Sequence, residues 1–100
     1  MTEKQLEKIQ EQVDGMDNAF WEQEASKMIL ARECFEINPN PETELAAEKA
    51  RIDFEIAEIR YNGYLNILQD PRRSDEIIQR VKAEIKDKLN ALRKLGVYHE

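Results

Sequence analysis

Apolar residues in the first part of the chain recur at alternating intervals of three and four, which is the period of one face of an α-helix. The series is Leu6, Ile9, Val13, Met16 and Phe20. Beyond it the apolar stripe widens and rotates, so residues 21–36 should lie deeper in protein than residues 3–16. We expect one helix over about residues 3–37.

Gly15 is the weak point of this first predicted helix, because glycine in a helix interior costs about 1 kcal/mol relative to alanine. Asp14 and Gly15 also form a plausible turn, and the side chain of Asp17 could cap a new helix. A break at Gly15 therefore stays open as an alternative to a continuous helix.

The run Asn38-Pro39-Asn40-Pro41 marks the clearest boundary in the chain. Proline disfavours helical backbone in the residue before it, so Pro39 should end the first helix. Asn40 is a suitable N-cap, and Pro41 suits the first position of a helix. The second predicted helix covers about residues 41–69, and so short a connection indicates an antiparallel hairpin.

The second predicted helix has two apolar faces. At 100° per residue, one set of six residues falls within an arc of about 80°, and we call it the isoleucine face: Leu45, Ile52, Ile56, Ile59, Gly63 and Ile67. A second set falls within about 100° on the opposite side, and we call it the aromatic face: Ala46, Ala47, Ala50, Phe54, Ala57, Tyr61, Tyr64, Leu65 and Leu68. A helix with two apolar faces packs on two sides, so it should form the middle layer.

Two details of this helix carry expectations of their own. Gly63 lies on the isoleucine face, where a missing side chain would let another helix approach closely; a kink in the helix at Gly63 is the less favoured alternative. Between the faces, Arg60 is assigned to the same edge as Arg51 and Glu55, and Asp53 to the other edge.

A third predicted helix covers about residues 75–95. Ser74 is a suitable N-cap, and Gly96 is the expected stop. Its apolar positions form one narrow seam and the remaining faces are charged; the seam is Ile78, Val81, Ile85, Leu89, Leu92 and Leu95. The predicted fold is therefore all-α, a single domain over residues 1–100 in which a long antiparallel hairpin packs with a third, shorter helix. Such an arrangement closes as a three-helix bundle or as a helical dimer.

Charge is unevenly distributed along the chain, whose formal net charge is −6. Residues 71–100 carry eight basic and five acidic side chains, whereas residues 1–70 are strongly acidic. The basic segment lacks interleaved aromatic residues, so we expect no direct binding of nucleic acid. The N-terminal segment has no apolar run typical of a signal peptide, and no run is long enough to span a membrane. We therefore expect a cytoplasmic protein that does not contact membranes.

Residues suited to catalysis are scarce, so we expect neither an enzyme nor a cofactor or metal site. His99 is the single histidine and stands next to the end of the chain, where a role in acid–base chemistry or metal binding is disfavoured. Cys34, the single cysteine, has helical spacing from Ala31 and Phe35 and is expected to be a small buried apolar residue.

Three unequal helices cannot cover one another completely, and large uncovered apolar patches usually mark interfaces. We therefore predict a non-enzymatic helical interaction module, such as a small adaptor, regulator or assembly subunit, whose partner is a second copy, another protein or both. The expected contact residues are Leu6, Ile9, Val13, Met16, Phe20, Tyr61, Tyr64, Leu65 and Leu68. The alternative is an acidic inhibitor that blocks a nucleic-acid-binding protein, and a small helical-bundle enzyme is the least favoured.

Overall fold

The computed structural model describes residues 2–95 and is all-α over that range. The helices are α1 (Glu3–Gly15), α2 (Asn18–Ile37), α3 (Pro41–Gln69) and α4 (Ser74–Lys94), and a 3₁₀ turn at Pro71–Arg73 precedes α4. The predicted all-α class is confirmed, but the described residues form four α-helices where three were expected. The expected stop at Gly96 and the residue His99 lie outside the described residues.

The first predicted helix is divided in two, and the expectation of one continuous helix is wrong. The backbone N–H of Met16 donates to the carbonyl of Val13 at 3.0 Å, which closes α1 just after Gly15. The carboxylate of Asp17 then accepts from the N–H of Phe20 at 2.9 Å and caps α2. A continuous helix would keep a glycine in its interior and would leave this cap unmade, so the break at Gly15 is favoured.

The start of α3 follows the predicted capping pattern. The side chain of Asn40 accepts from the N–H of Thr43 at 2.9 Å, and the hydroxyl of Thr43 accepts from the N–H of Asn40 at 3.1 Å. Each side chain thus satisfies a backbone donor that has no partner within the helix. With Pro41 at its first position, α3 has the bounds expected from the sequence.

Ser74 does not cap α4, contrary to expectation. The 3₁₀ turn places Ser74 in helical backbone as the first residue of α4, and Arg73 occupies the N-cap position without a side-chain cap. The hydroxyl of Ser74 instead donates to the carbonyl of Pro71, within the buried corner between α3 and α4.

Helix α3 is the middle element, since α1, α2 and α4 all pack against it. Helix α4 covers the isoleucine face, and the apolar side chains buried between the two helices are Ile52, Ile67, Ile77 and Leu92. A Cβ built on Gly63 would stand only 2.6 Å from Cγ2 of Val81. The predicted close approach at Gly63 is therefore confirmed.

The other helices pack less deeply than expected. Neither α1 nor α2 has a fully buried residue, so the expected difference in depth between residues 21–36 and residues 3–16 stays a prediction. The molecule measures 50 × 28 × 19 Å, with a radius of gyration of 16.0 Å, whereas a compact domain of this length has about 13 Å. Its accessible surface is 7402 Å², against about 5,900 Å² for a typical monomer of this mass. The fold is elongated and leaves an unusually large surface in water.

Candidate interaction surfaces

The residues predicted to form a contact surface are all half-buried within the single chain. Four of them lie along α1 and at its C-terminal end, and α1 packs on α3. Tyr61 packs against Trp21, with ring centroids 5.2 Å apart. Most of this predicted surface is thus engaged in internal packing, and its contact with a partner stays a prediction.

An aromatic cluster joins the start of α2 to the aromatic face of α3. Trp21 meets the rings of Phe20, Phe54 and Tyr61 edge-on, at centroid distances of 5.3, 5.8 and 5.2 Å. Edge-to-face pairs at such distances stabilise beyond the area that they bury. Trp21 and Tyr61 therefore serve internal packing in this structure.

The outer face of α2 carries the most exposed apolar side chains. Ile29, Leu30 and Ile37 are 52%, 62% and 84% exposed. Leu30 and Ile37 are seven residues apart and therefore share one stripe of the helix. Cys34 lies between them and is also exposed, so its expected burial is wrong. Ile29 lies at a different angle and lines a cavity between α2 and α3 with Ala47 and Arg51. We call Leu30, Cys34 and Ile37 the outer α2 face; the sequence analysis did not single it out.

A groove follows one side of the contact between α3 and α4. It consists of three adjoining cavities of about 570, 200 and 400 Å³, and all three are lined by Arg60. We call it the α3–α4 groove. Its apolar lining includes Ile56, Gly63, Tyr64, Ile67, Ile85, Leu89 and Leu92, and Met16 and Phe20 stand at one end.

The charged residues of the α3–α4 groove are mostly basic. Five basic side chains line it, together with one acidic side chain: Lys49, Arg60, Lys82, Lys86, Arg93 and Asp53. Asp53 is bound by Lys49, with Nζ 2.8 Å from Oδ2. Within residues 2–95, Arg60, Lys82 and Lys86 form no salt bridge. Arg60 lies beside Asp53 in the largest cavity, so its assignment to the edge of Arg51 and Glu55 is wrong.

The opposite edge of α3 holds a chain of paired charges. The Arg51 guanidinium donates to Glu48 and to Glu55, both at 2.8 Å, and Nζ of Lys88 on α4 donates to Glu55 at 2.6 Å. The hydrogen bond from Lys88 is the main cause that lowers the pKa of Glu55, and the charges of Arg51 and Lys88 lower it further. Hydrogen bonding to Glu48 is the main cause that raises the pKa of Arg51. We call these four residues the paired edge.

The described residues contain no cluster of three potential metal ligands. None of the helices in that range has the length and apolar character needed to cross a bilayer. Comparison with family models, with curated proteins and with solved structures finds no match to this chain. Its surfaces alone therefore supply the argument for a function.

Proposed function

We propose that this protein is a non-enzymatic helical interaction module that associates with a second copy of itself through the outer α2 face. The observation that carries the proposal is the exposure of Leu30 and Ile37, at 62% and 84%, on one stripe of a single helix. Single apolar residues on a surface are ordinary, but neighbouring exposed apolar side chains on one side of a helix are typical of an interaction site.

The size of the accessible surface supports the same proposal. The chain exposes 7402 Å², which exceeds the usual value for its mass by about 1,500 Å². A typical stable interface covers about 800 Å² on each partner. Association through α2 would bring the exposed area closer to that of a compact protein, and a symmetric pair needs only one surface patch to be self-complementary.

The test is the mass in solution, measured by light scattering behind size exclusion at about 0.1 and 0.5 M salt. We expect a dimer or larger oligomer that resists salt, because burial of apolar area is not screened as exposed charge interactions are. Leu30→Glu and Ile37→Glu should each shift the protein to monomer while the helical circular dichroism is kept. Gln79→Glu, the matched control, adds the same charge on an exposed position of α4 and should leave the oligomer intact.

Three results would contradict this proposal. A monomeric wild-type protein at high concentration would exclude self-association. An oligomer that survives both substitutions but is lost with Phe20→Glu or Leu65→Glu would move the contact to the residues predicted from the sequence. An oligomer that dissociates at high salt would favour charge contacts over the outer α2 face.

A further inference from the structure

We infer that the α3–α4 groove binds an acidic amphipathic helix of another protein. This site is separate from the outer α2 face, so the inference goes beyond self-association and does not rest on it. It is carried by the shape, the lining and the charge of the groove.

The length of the groove suits a helix. Its lining on α3 runs from Lys49 to Ile67, which corresponds to about 27 Å at 1.5 Å per residue. A partner helix of about 18 residues spans that distance. Gly63 lies near the Ile67 end of this lining, where Val81 of α4 packs against it. Phe20 and Met16 stand at the other end, near Leu92.

The floor of the groove is apolar, which is the requirement for the hydrophobic stripe of an amphipathic helix. Leu89 and Ile85 of α4 are half-buried there, opposite Ile56 of α3. The groove has two aromatic rings, Phe20 at one end and Tyr64 in a different cavity. Two separate rings are a poor platform for a run of stacked bases. The lining therefore favours a protein helix over nucleic acid.

The rim selects the charge of the partner. Arg60, Lys82 and Lys86 project along the groove and have no salt bridge among the described residues, in a chain whose net charge is −6. Unpaired cations beside an apolar floor attract a helix whose apolar stripe is flanked by glutamate or aspartate. A basic helix would meet like charges at the rim, so the same groove discriminates between partners.

The experiment uses the full chain and a fluorescein-labelled 18-residue peptide with leucine on one helical face and glutamate on its flanks. Fluorescence anisotropy should show saturable binding that weakens at least tenfold when salt is raised from about 0.1 to 0.5 M. Arg60→Glu combined with Lys82→Glu should weaken it at least tenfold. The matched control is Lys94→Glu combined with Arg72→Glu, which reverses two basic residues outside the groove and should change binding less than threefold. A peptide with glutamine in place of glutamate should bind more weakly than the acidic one.

Absence of saturable binding, or binding unaffected by the Arg60 and Lys82 substitutions, would overturn the inference. The inference would also be overturned if a 20-base-pair DNA duplex binds, if the same substitutions weaken that binding, and if the acidic peptide does not bind. Light scattering on the same variants separates the two proposals. Leu30→Glu should leave peptide binding unchanged, and the groove variants should leave the oligomeric state unchanged.

Discussion

The two edges of α3 carry similar side chains but use them differently. On the paired edge, Arg51 and Lys88 converge on Glu55, so charge connects α3 to α4 within the chain. On the groove edge, Arg60 and Lys82 face water above an apolar floor. Charge thus links α3 to α4 on one side of the helix pair, whereas on the other side Arg60 and Lys82 form no salt bridge among the described residues.

The difference follows from the spacing of acidic residues. Arg51 has Glu48 three positions before it and Glu55 four positions after it, which are the distances at which helical side chains meet. None of the positions three or four residues from Arg60, Lys82 or Lys86 is acidic. Basic residues that lack such acidic neighbours can be identified from the sequence, and they indicate where side chains at the groove rim form no salt bridge within their own helix.

The largest expected effect on stability is at the contact between α3 and α4, which lies between the two edges. Gly63→Ala should lower the free energy of unfolding by about 1–3 kcal/mol, because the new methyl group overlaps Val81. Urea unfolding measures this loss. Combining it with Val81→Ala should restore part of the stability lost in the single variants. Gly15→Ala is the control. A Cβ at Gly15 meets nothing within 4 Å, so this variant should be more stable by about 0.4–1 kcal/mol. A Gly63→Ala variant as stable as wild type would contradict the close approach of α4.

A smaller loss is expected from the paired edge. Lys88→Met removes the salt bridge to Glu55. The side chains of Lys88 and Glu55 are 37% and 30% exposed, so solvent screening limits the loss of unfolding free energy to about 0.5–1 kcal/mol. Lys82→Met on the groove edge is the matched comparison, and it should change stability by less than about 0.5 kcal/mol. Equal losses in thermal or urea unfolding would show that the two edges do not differ.

The same salt bridge predicts a pH dependence with a definite sign. The pKa of Glu55 in the folded protein lies below its ordinary value of 4.5. Its contribution to stability is therefore present above pH 4.5 and is lost as the pH falls through the lowered pKa. We expect the stability difference between wild type and Glu55→Gln to stay constant from neutral pH to about 5 and to narrow in more acidic solution. A stability difference that widens below about pH 5 would contradict the predicted direction of the pH dependence.

The smallest effect on stability is expected at Arg60. Arg60→Gln removes an exposed side chain that has no salt bridge in the described part of the chain, so unfolding should change by less than about 0.5 kcal/mol. Binding of the acidic peptide should nevertheless fall measurably. A large loss of stability would indicate that Arg60 supports the fold rather than a partner.

Local chemistry made much of the fold predictable. The caps and prolines around α3 determine its bounds, and the position of Gly63 on the isoleucine face indicates the close contact with α4. The break after Gly15 and the position of Ser74 depend on competition between alternative caps and turns, which periodicity does not resolve. Cys34 is exposed because α3 covers only one stripe of α2, and that depends on tertiary packing.

The candidate surfaces were predicted less well than the helices. The heptad series of α1 indicates an apolar face, but the sequence does not show that this face packs against α3. The position of the groove depends on which side of α4 stays uncovered, and the sequence does not show this. The helical angle between Arg60 and Asp53, in contrast, follows from the sequence. Two residues seven apart on one helix lie about 20° from each other, and that spacing alone places Arg60 on the groove edge.

The central position of α3 also has a consequence for how the chain reaches its structure. Helices α2 and α4 each meet the helix next to them in sequence, so their contacts close short loops and cost little entropy. Folds dominated by such local contacts form in microseconds to milliseconds. We therefore expect rapid folding in which either neighbouring hairpin can form first, with α3 present in both.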